Sequence, residues 1–310
     1  MALLLIPLPG AAPNWVQEFK RQAPDLDVRV WPEFGKPEDI EFVAVHFPKG
    51  ADLNQFRNLK FIASLFAGVD HLLVAPEVPK SVTLVRASDP KGDHFMNETA
   101  LLHVLRHHRH LHEYAIDQRN REWKPRRPVK PVGTRKVGVM GLGQIGLPVA
   151  QYLRAFGFDV AGWARTKREV PGITVFAGPG ELAAFLARSE ILVNLLAVTP
   201  ETENIFNARN FAQMPKGACV VNLARGQHVV EADLMAALDS GQLSGATLDV
   251  FRIEPLPKDD PLWGHPRVSI MPHIARSPHP RDIVPQLLEN IRRARAGQPL
   301  AWIIDRKVGY

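Results

Sequence analysis

Val137-Gly-Val-Met-Gly141-Leu-Gly143-Gln144-Ile145-Gly146 is the stretch whose reading decides the fold. Val137–Met140 predicts a strand, the glycines turn it, and the apolar run from Leu147 to Phe156 predicts a helix. In G-x-G-x-x-G, Gly141 permits a tight turn, Gly143 lets the backbone approach a pyrophosphate, and Gly146 lets the helix pack close to the strand. The helix start then offers unbonded N–H groups and a positive dipole end to phosphates. A lone glycine motif marks only a turn; in strand–turn–helix order it predicts a dinucleotide site.

The next strand, Phe158-Asp-Val-Ala-Gly-Trp163, runs into Ala164-Arg165-Thr166-Lys167-Arg168. A dinucleotide without a 2′-phosphate is usually held here by Asp or Glu on the ribose hydroxyl. This chain has no carboxylate at the strand end and has Arg165 instead, which suits a 2′-phosphate. NADP(H) is therefore expected as the preferred cofactor, with NAD(H) as the alternative. Arg165, Thr166 and Lys167 are the candidate 2′-phosphate residues.

Three later segments each carry an apolar strand into a loop: Val221-Asn-Leu223-Ala224-Arg225-Gly226, Leu248-Asp249-Val-Phe-Arg-Ile-Glu254-Pro255, and Met271-Pro-His273-Ile-Ala275. In an open α/β sheet the carboxyl ends of strands line the ligand crevice. Arg225 can hold a carboxylate bidentately and polarise the neighbouring carbonyl. His273 can donate a proton as hydride reaches carbon, and Glu254 can orient its ring and favour its charged form. Singly, an Arg after a strand reads as a surface charge and a His beside Pro as structural. The three in this order behind a nucleotide motif predict reduction of a 2-keto acid.

The chain upstream alternates apolar runs (Leu3–Leu8, Asp27–Trp31, Phe42–Phe47, Leu59–Leu65, Val82–Val85) with helix candidates such as Pro13–Gln22 and Leu53–Arg57, a βαβ pattern of a parallel sheet. One long helix is expected from Met96 to Trp123, ended by Pro125, Pro128 and Pro131. A second series follows, with strands at Val137–Met140, Asp159–Trp163, Ile191–Leu196, Ala218–Leu223, Gly245–Val250 and Val268–Met271. Helices are expected at Pro148–Ala155, Glu181–Ala187, Glu231–Asp239 and, after Pro278, Pro280–Ala296, the last returning to the first domain.

The 310 residues carry a formal net charge of +6, 45% hydrophobic and 23% charged residues, a globular composition long enough for two domains. The densest basic run, Lys124 to Lys136, is broken by prolines and lacks interleaved aromatics, so no nucleic-acid partner is expected. Met1-Ala-Leu-Leu-Leu-Ile-Pro-Leu-Pro9 is too short and lacks the positive start of a signal peptide, and no apolar run reaches 18 residues. A cytoplasmic protein with no membrane partner is expected. The single cysteine, Cys219, sits in an apolar run and reads as a small buried side chain, not a nucleophile.

Five of the twelve histidines, His103, His107, His108, His110 and His112, crowd one helical stretch. The i, i+4 pairs His103/His107 and His108/His112 can bind zinc. Neither a following Glu-x-x-His pattern nor a nearby cysteine accompanies them, so a solvated or interface face is expected, and no metal site. Phe66, Trp163 and Trp302 read as packing residues, with pocket walls as the alternative.

The motifs Gly141-Leu-Gly-Gln-Ile-Gly146, Asn222-Leu-Ala-Arg-Gly226, Asp249-Val-Phe-Arg-Ile-Glu254-Pro255-Leu256 and Pro272-His273-Ile-Ala275 resemble the signatures of D-isomer-specific 2-hydroxyacid dehydrogenases, and within them the glyoxylate/hydroxypyruvate reductase group. Phe66-Ala-Gly-Val-Asp70 and Thr199-Pro-Glu-Thr202 extend the likeness over nearly the whole chain. The resemblance implies an α/β fold of two Rossmann-like, doubly wound parallel-sheet domains with a cleft between them. Residues 1–97 plus 277–310 would form the substrate domain and 98–276 the NAD(P)-binding domain. It implies catalysis by Arg225, Glu254 and His273, with His273 as proton donor. Substrate would be held by backbone near Ala67, Gly68 and Val69, and cofactor by Gly141, Gly143, Gln144, Ile145, Gly146, Leu196, Ala197, Thr202, Leu223, Ala224, Asp249 and Ala275. It further implies reduction of short 2-keto acids such as glyoxylate and hydroxypyruvate, and a homodimer built on the long helix. A dehydrogenase of another 2-hydroxy acid (phosphoglycerate-type or with a larger side chain) and a non-catalytic NAD(P)-sensing protein stay open. Ala197 stands where the family often has Pro, and Arg276 is an unusual charge beside His273.

Overall fold

Ala2–Ile6 is buried at every position, as a strand in the middle of a two-sided parallel sheet must be. The computed structural model describes residues 2–66, 68–86, 94–126, 128–276 and 279–306. The chain divides into two compact units, Met1–Lys91 with Pro278–Tyr310, and Gly92–Ser277.

The first unit runs β1 (Ala2–Ile6), α1 (Ala12–Gln22), β2 (Asp27–Val30), β3 (Ile40–Val45), β4 (Phe61–Ser64), α2 (Asp70–Val74) and β5 (Thr83–Arg86), and is joined by the late helix Pro280–Arg295. Its described strands form a parallel sheet of order β2-β1-β3-β4-β5. Alternate side chains serve opposite faces, as the two-residue period of a strand dictates. Leu4, Ile6, Val43, Val45, Ile62 and Leu84 pack on one side. Leu3, Leu5, Phe42, Phe61 and Val85 pack on the other, against Trp15 and Phe19 of α1 and Ile283, Leu287 and Ile291 of the late helix.

The second unit contains α3 (His94–His108), α4 (Leu111–Asn120), β6 (Lys136–Met140), α5 (Gly146–Phe156), β7 (Asp159–Ala164), β8 (Thr174–Ala177), α6 (Leu182–Arg188), β9 (Ile191–Asn194), α7 (Ala208–Ala212), β10 (Ala218–Asn222), α8 (Glu231–Asp239), β11 (Leu243–Leu248) and β12 (Val268–Ile270); the late helix is α9. Strand order is β12-β11-β10-β9-β6-β7-β8, all parallel. The direction of winding reverses between β6 and β9, and ligands of such sheets bind beyond the strand ends at that switch point.

Two expectations are corrected. The single helix from Met96 to Trp123 is two helices, broken at His110, whose φ of 59° is left-handed. The His110 carbonyl starts α4 by accepting from the amides of Glu113 and Tyr114. Leu53–Arg57 forms only a 3-10 turn at Leu53–Gln55, capped by the Asp52 carboxylate on the Asn54 amide. Sequence periodicity also passed over β8, α2 and α7, each of five residues or fewer and too short for a helical period to register. Among the described residues no helix is long and apolar enough to cross a membrane.

Candidate active site

The glycine loop follows β6 at the switch point. Gly141 has φ +88°, and a Cβ there would stand 2.7 Å from the Leu195 carbonyl oxygen. A Cβ at Gly146 would stand 1.7 Å from the Gly141 carbonyl oxygen. Both positions are closed by backbone. Gly143 has nothing within 4 Å, so its open side is the approach left for a ligand. The start of α5 has no side-chain cap, the Leu147 amide turns back to the Gly143 carbonyl at 3.1 Å and Pro148 has no N–H, so it is the positive end of the helix that meets an anion here. These features fit a dinucleotide pyrophosphate. Gln144 is exposed and Ile145 half-buried beside them.

At the end of β7, Arg165, Thr166, Lys167 and Arg168 are all exposed. Lys167 pairs with Glu181 at 2.8 Å. No carboxylate occurs between Trp163 and Arg168, and the donor set there suits a 2′-phosphate. Trp163 itself is buried, its indole N–H donating to the Gly178 carbonyl at 2.9 Å; it packs the core.

Arg225, Glu254 and His273 follow β10, β11 and β12 respectively. His273 Nδ1 lies 2.7 Å from Glu254 Oε2. The other carboxylate oxygen of Glu254 accepts from the Phe251 amide at 2.9 Å. Burial pushes the Glu254 carboxyl up. The hydrogen bonds from His273 and Phe251, with the charges of His273 and Arg225, outweigh it and hold the group below its ordinary range. The structure thus brings the His–Glu pair within the field of Arg225. The Arg225 backbone is extended, and its Nη1 donates to the Ala224 carbonyl at 2.7 Å. A Cβ at Gly226 would stand 1.9 Å from the Phe251 carbonyl carbon, so only glycine lets the Arg225 turn lie against the loop that bears Glu254. With Nδ1 engaged by Glu254, Nε2 of His273 is the nitrogen available for proton exchange. The side chain keeps 47% exposure.

Residues 101–275 match the family model for the D-isomer specific 2-hydroxyacid dehydrogenase, NAD binding domain. The chain is 41% identical to a glyoxylate/hydroxypyruvate reductase A of Serratia proteamaculans (strain 568), over 96% of each. This chain belongs to the D-isomer specific 2-hydroxyacid dehydrogenases. A crystal structure of a family member from Xanthobacter autotrophicus Py2, in complex with NADPH and MES, superposes with a TM-score of 0.94 at 39% identity, covering 100% of this chain and 99% of that one. An NADPH-dependent glyoxylate/hydroxypyruvate reductase from Sinorhizobium meliloti, in complex with NADP and sulfate, gives 0.91 at 32% identity over all of both chains.

For a dehydrogenase of this family the remaining site candidates sort by what they touch. Asp249 is buried, and its carboxylate accepts from the amides of Ile274 and Ala275 at 2.8 and 2.9 Å. Burial raises its carboxyl, against the pull of those two amides and of the His273 charge. Thr202 closes the loop after β9, donating to the Ala197 carbonyl and accepting from the Thr199 amide, both at 2.8 Å. Leu223, Ala224 and Ala275 are buried, Leu196 is half-buried and Ala197 exposed. In the first unit, Gly68 and Val69 sit in the turn between β4 and α2, where Ser64 Oγ donates to the Phe66 carbonyl at 2.9 Å. Ala67 lies outside the described residues. Phe66 packs edge-on against His46 and His71. Arg276 is half-buried.

The sequence reading missed a buried polar network beneath Arg225. Asn194 Nδ2 reaches Asn222 Oδ1 and His228 Nδ1, both at 2.9 Å. Asn222 Oδ1 also accepts from the Ala224 amide at 3.2 Å, and its Nδ2 donates to the Arg225 carbonyl at 2.9 Å. Asn194 Oδ1 accepts from the Leu196 amide at 3.2 Å. The signal was present: Asn194 and Asn222 are the last residues of two otherwise apolar, fully buried strands, and a buried amide must find partners.

Proposed function

We propose that this chain reduces short 2-keto acids, glyoxylate and hydroxypyruvate, to the corresponding 2-hydroxy acids with NADPH. The observation that carries this reading is the His273–Glu254 pair held in the field of Arg225, on the same sheet end as a glycine loop whose neighbouring strand ends in Arg165. The names of the relatives support the substrate class and the cofactor.

The reduced dinucleotide, when bound, supplies the hydride to the substrate carbonyl carbon. Arg225 holds the substrate carboxylate with two parallel N–H donors and polarises the adjacent carbonyl. His273, protonated and kept in orientation by Glu254, gives its Nε2 proton to the carbonyl oxygen as charge develops there. Solvent restores that proton after product leaves. Gly141, Gly143 and Gly146 seat the pyrophosphate, and Arg165, with Thr166 and Lys167, meets the 2′-phosphate. Residues 1–97 and 277–310 are assigned to substrate binding, with Gly68 and Val69 offering amides to the carboxylate, and residues 98–276 to the dinucleotide.

Phe95, Leu102 and Leu111 are 45%, 59% and 51% exposed, and Trp123 is 97% exposed. All lie on or next to α3 and α4, which supports a homodimer through this stretch; sedimentation equilibrium reads it as twice the chain mass. A cytoplasmic location accords with one buried free cysteine.

The test is the initial rate of reduced-nicotinamide oxidation with glyoxylate, hydroxypyruvate, pyruvate and phosphohydroxypyruvate, each with NADPH and NADH. Fast turnover of the first two with NADPH is the expected result. Preference for phosphohydroxypyruvate or pyruvate would replace the substrate class, and no turnover with any would leave a nucleotide-sensing role.

A further inference from the structure

The break at His110 does more than interrupt a helix. His107 and His112 are five residues apart, and in a continuous helix they would project roughly 140° from each other. The left-handed turn at His110 brings their rings together instead, with centroids 4.7 Å apart. Cys219, the second residue of β10, lies against both. One ligand atom from each of His107, His112 and Cys219 falls within 4.8 Å of the others, and the three residues are only 3%, 3% and 5% exposed. The neighbouring strand makes room for them. Gly245 pairs with Cys219 across the sheet, and a Cβ there would stand 2.8 Å from His112 Cδ2 and 3.2 Å from His107 Cε1.

The expectation of a solvated or interface face is overturned for four of these five histidines. His103, His107, His108 and His112 are all buried within this one chain. The cysteine partner missing from the local sequence is supplied by the sheet. His107 Nε2 is hydrogen-bonded to Thr247 Oγ1 at 3.0 Å. His107 Nδ1 has no hydrogen-bond partner among the described residues, while His112 has only the Arg106 backbone and, 4.0 Å from its Nε2, Glu113 Oε1 beside it. Buried polar atoms left unpaired are costly, and such a set calls for a ligand.

We propose that His107, His112 and Cys219 bind one zinc-class divalent ion, which clips α3, α4 and β10 together. A set of two neutral imidazoles and one thiolate selects a borderline-soft ion such as Zn2+ over Mg2+ or Ca2+. The thiol proton leaves to solvent as the sulfur–metal bond forms, and solvent completes the fourth position. Thr247 on His107 and Ser244 Oγ, 3.0 Å from Cys219 Sγ, act as the outer partners that orient the ligands. A cavity of about 340 Å³ lined by Glu113, Asp117, Arg126, Arg267 and Ser244 adjoins the cluster at Ser244, the hydrogen-bond partner of Cys219. The charges of Arg106 and Arg135 oppose a cation here, while Glu113 and the thiolate favour it.

The test uses untagged full-length protein stripped with a chelator and titrated with Co2+. A thiolate-to-cobalt charge-transfer band saturating at one ion per chain, and displaced by Zn2+, is the expected result. Zn2+ should also raise the thermal unfolding midpoint. Cys219→Ser should lose the band and the Zn2+ shift, with Cys219→Ala as a second variant and circular dichroism as the check that each is folded. The proposal is overturned if stoichiometric Co2+ gives no such band, or if the band survives in a folded Cys219→Ser or Cys219→Ala protein. Neither readout depends on keto-acid turnover.

Discussion

Asp249 grips the His273 loop at three consecutive amides. Its carbonyl accepts from the His273 N–H at 2.8 Å, and its carboxylate oxygens accept from Ile274 and Ala275. His273 has a left-handed φ of 54°, a conformation uncommon for a residue with a side chain. The carboxylate at the end of β11 thus stabilises a backbone turn that aims the imidazole proposed as proton donor. Asp249→Asn keeps the volume but sets an amide N–H against one of the two backbone N–H groups. It should lower kcat about 10–100-fold. The loop should also gain mobility, read as faster amide exchange at Ile274 and Ala275. Wild-type kcat in a folded Asp249→Asn protein would remove the positioning role.

The Glu254–His273 pair makes a prediction about pH. The Glu254 carboxyl is held below its ordinary value of 4.5, so the pair persists above that value and is lost only as pH falls through the lowered one. From neutral pH down to about pH 5 protonation of Glu254 should therefore cause no fall in the reductive rate wherever the protein remains folded. In Glu254→Gln the negative partner that orients the His273 ring is gone, so kcat should fall, and the loss of rate that protonation of Glu254 causes at acid pH should disappear. A lowered rate that still falls at acid pH as in the wild type would mean that Glu254 supports only the loop.

Arg165 is the proposed discriminator between the two dinucleotides. Charge-assisted hydrogen bonds to a phosphate contribute about 1.5–3 kcal/mol, so Arg165→Ala should raise KM for NADPH roughly 10–100-fold and leave KM for NADH nearly unchanged. Lys167, already paired with Glu181, should have the smaller effect when replaced by alanine. If both substitutions change the two cofactors equally, the 2′-phosphate is read elsewhere.

The parts of this molecule legible in sequence are those where chemistry is local. Gly141 and Gly146 announce a turn because one takes a left-handed φ and the other lies against the Gly141 carbonyl, and β1 reads as buried because all five of its residues are apolar. The Arg225, Glu254 and His273 motifs were visible because each ends a strand. What escaped was long-range or context-bound. The break at His110 replaces an apparently continuous helical period, and no glycine or proline marks it. Asn194 and Asn222 look like ordinary loop-edge residues until β9 and β10 pair and bring their amides to 2.9 Å. The His107–His112–Cys219 cluster needs both the helix break and the sheet, so no spacing rule could contain it.

Acid stability should expose the buried histidines, of which His46 is the clearest in the first unit. Burial, and then the charge of His71, push His46 from 6.5 down to about 4. Its Nδ1 accepts from the Leu8 amide at 3.2 Å, a bond the protonated ring cannot make. The folded state therefore resists a proton that the unfolded chain takes up readily. The contribution is intact above pH 6.5 and is lost as pH falls from there toward 4, by about 3 kcal/mol in all. Denaturant titrations at pH 7 and pH 4.5 should show that loss, together with that of His103, which burial likewise lowers to about 4. In His46→Asn the side-chain oxygen can accept from Leu8 without titrating, so the drop in stability between the two pH values should shrink. An undiminished drop in that variant would mean that His46 takes up its proton in the folded protein.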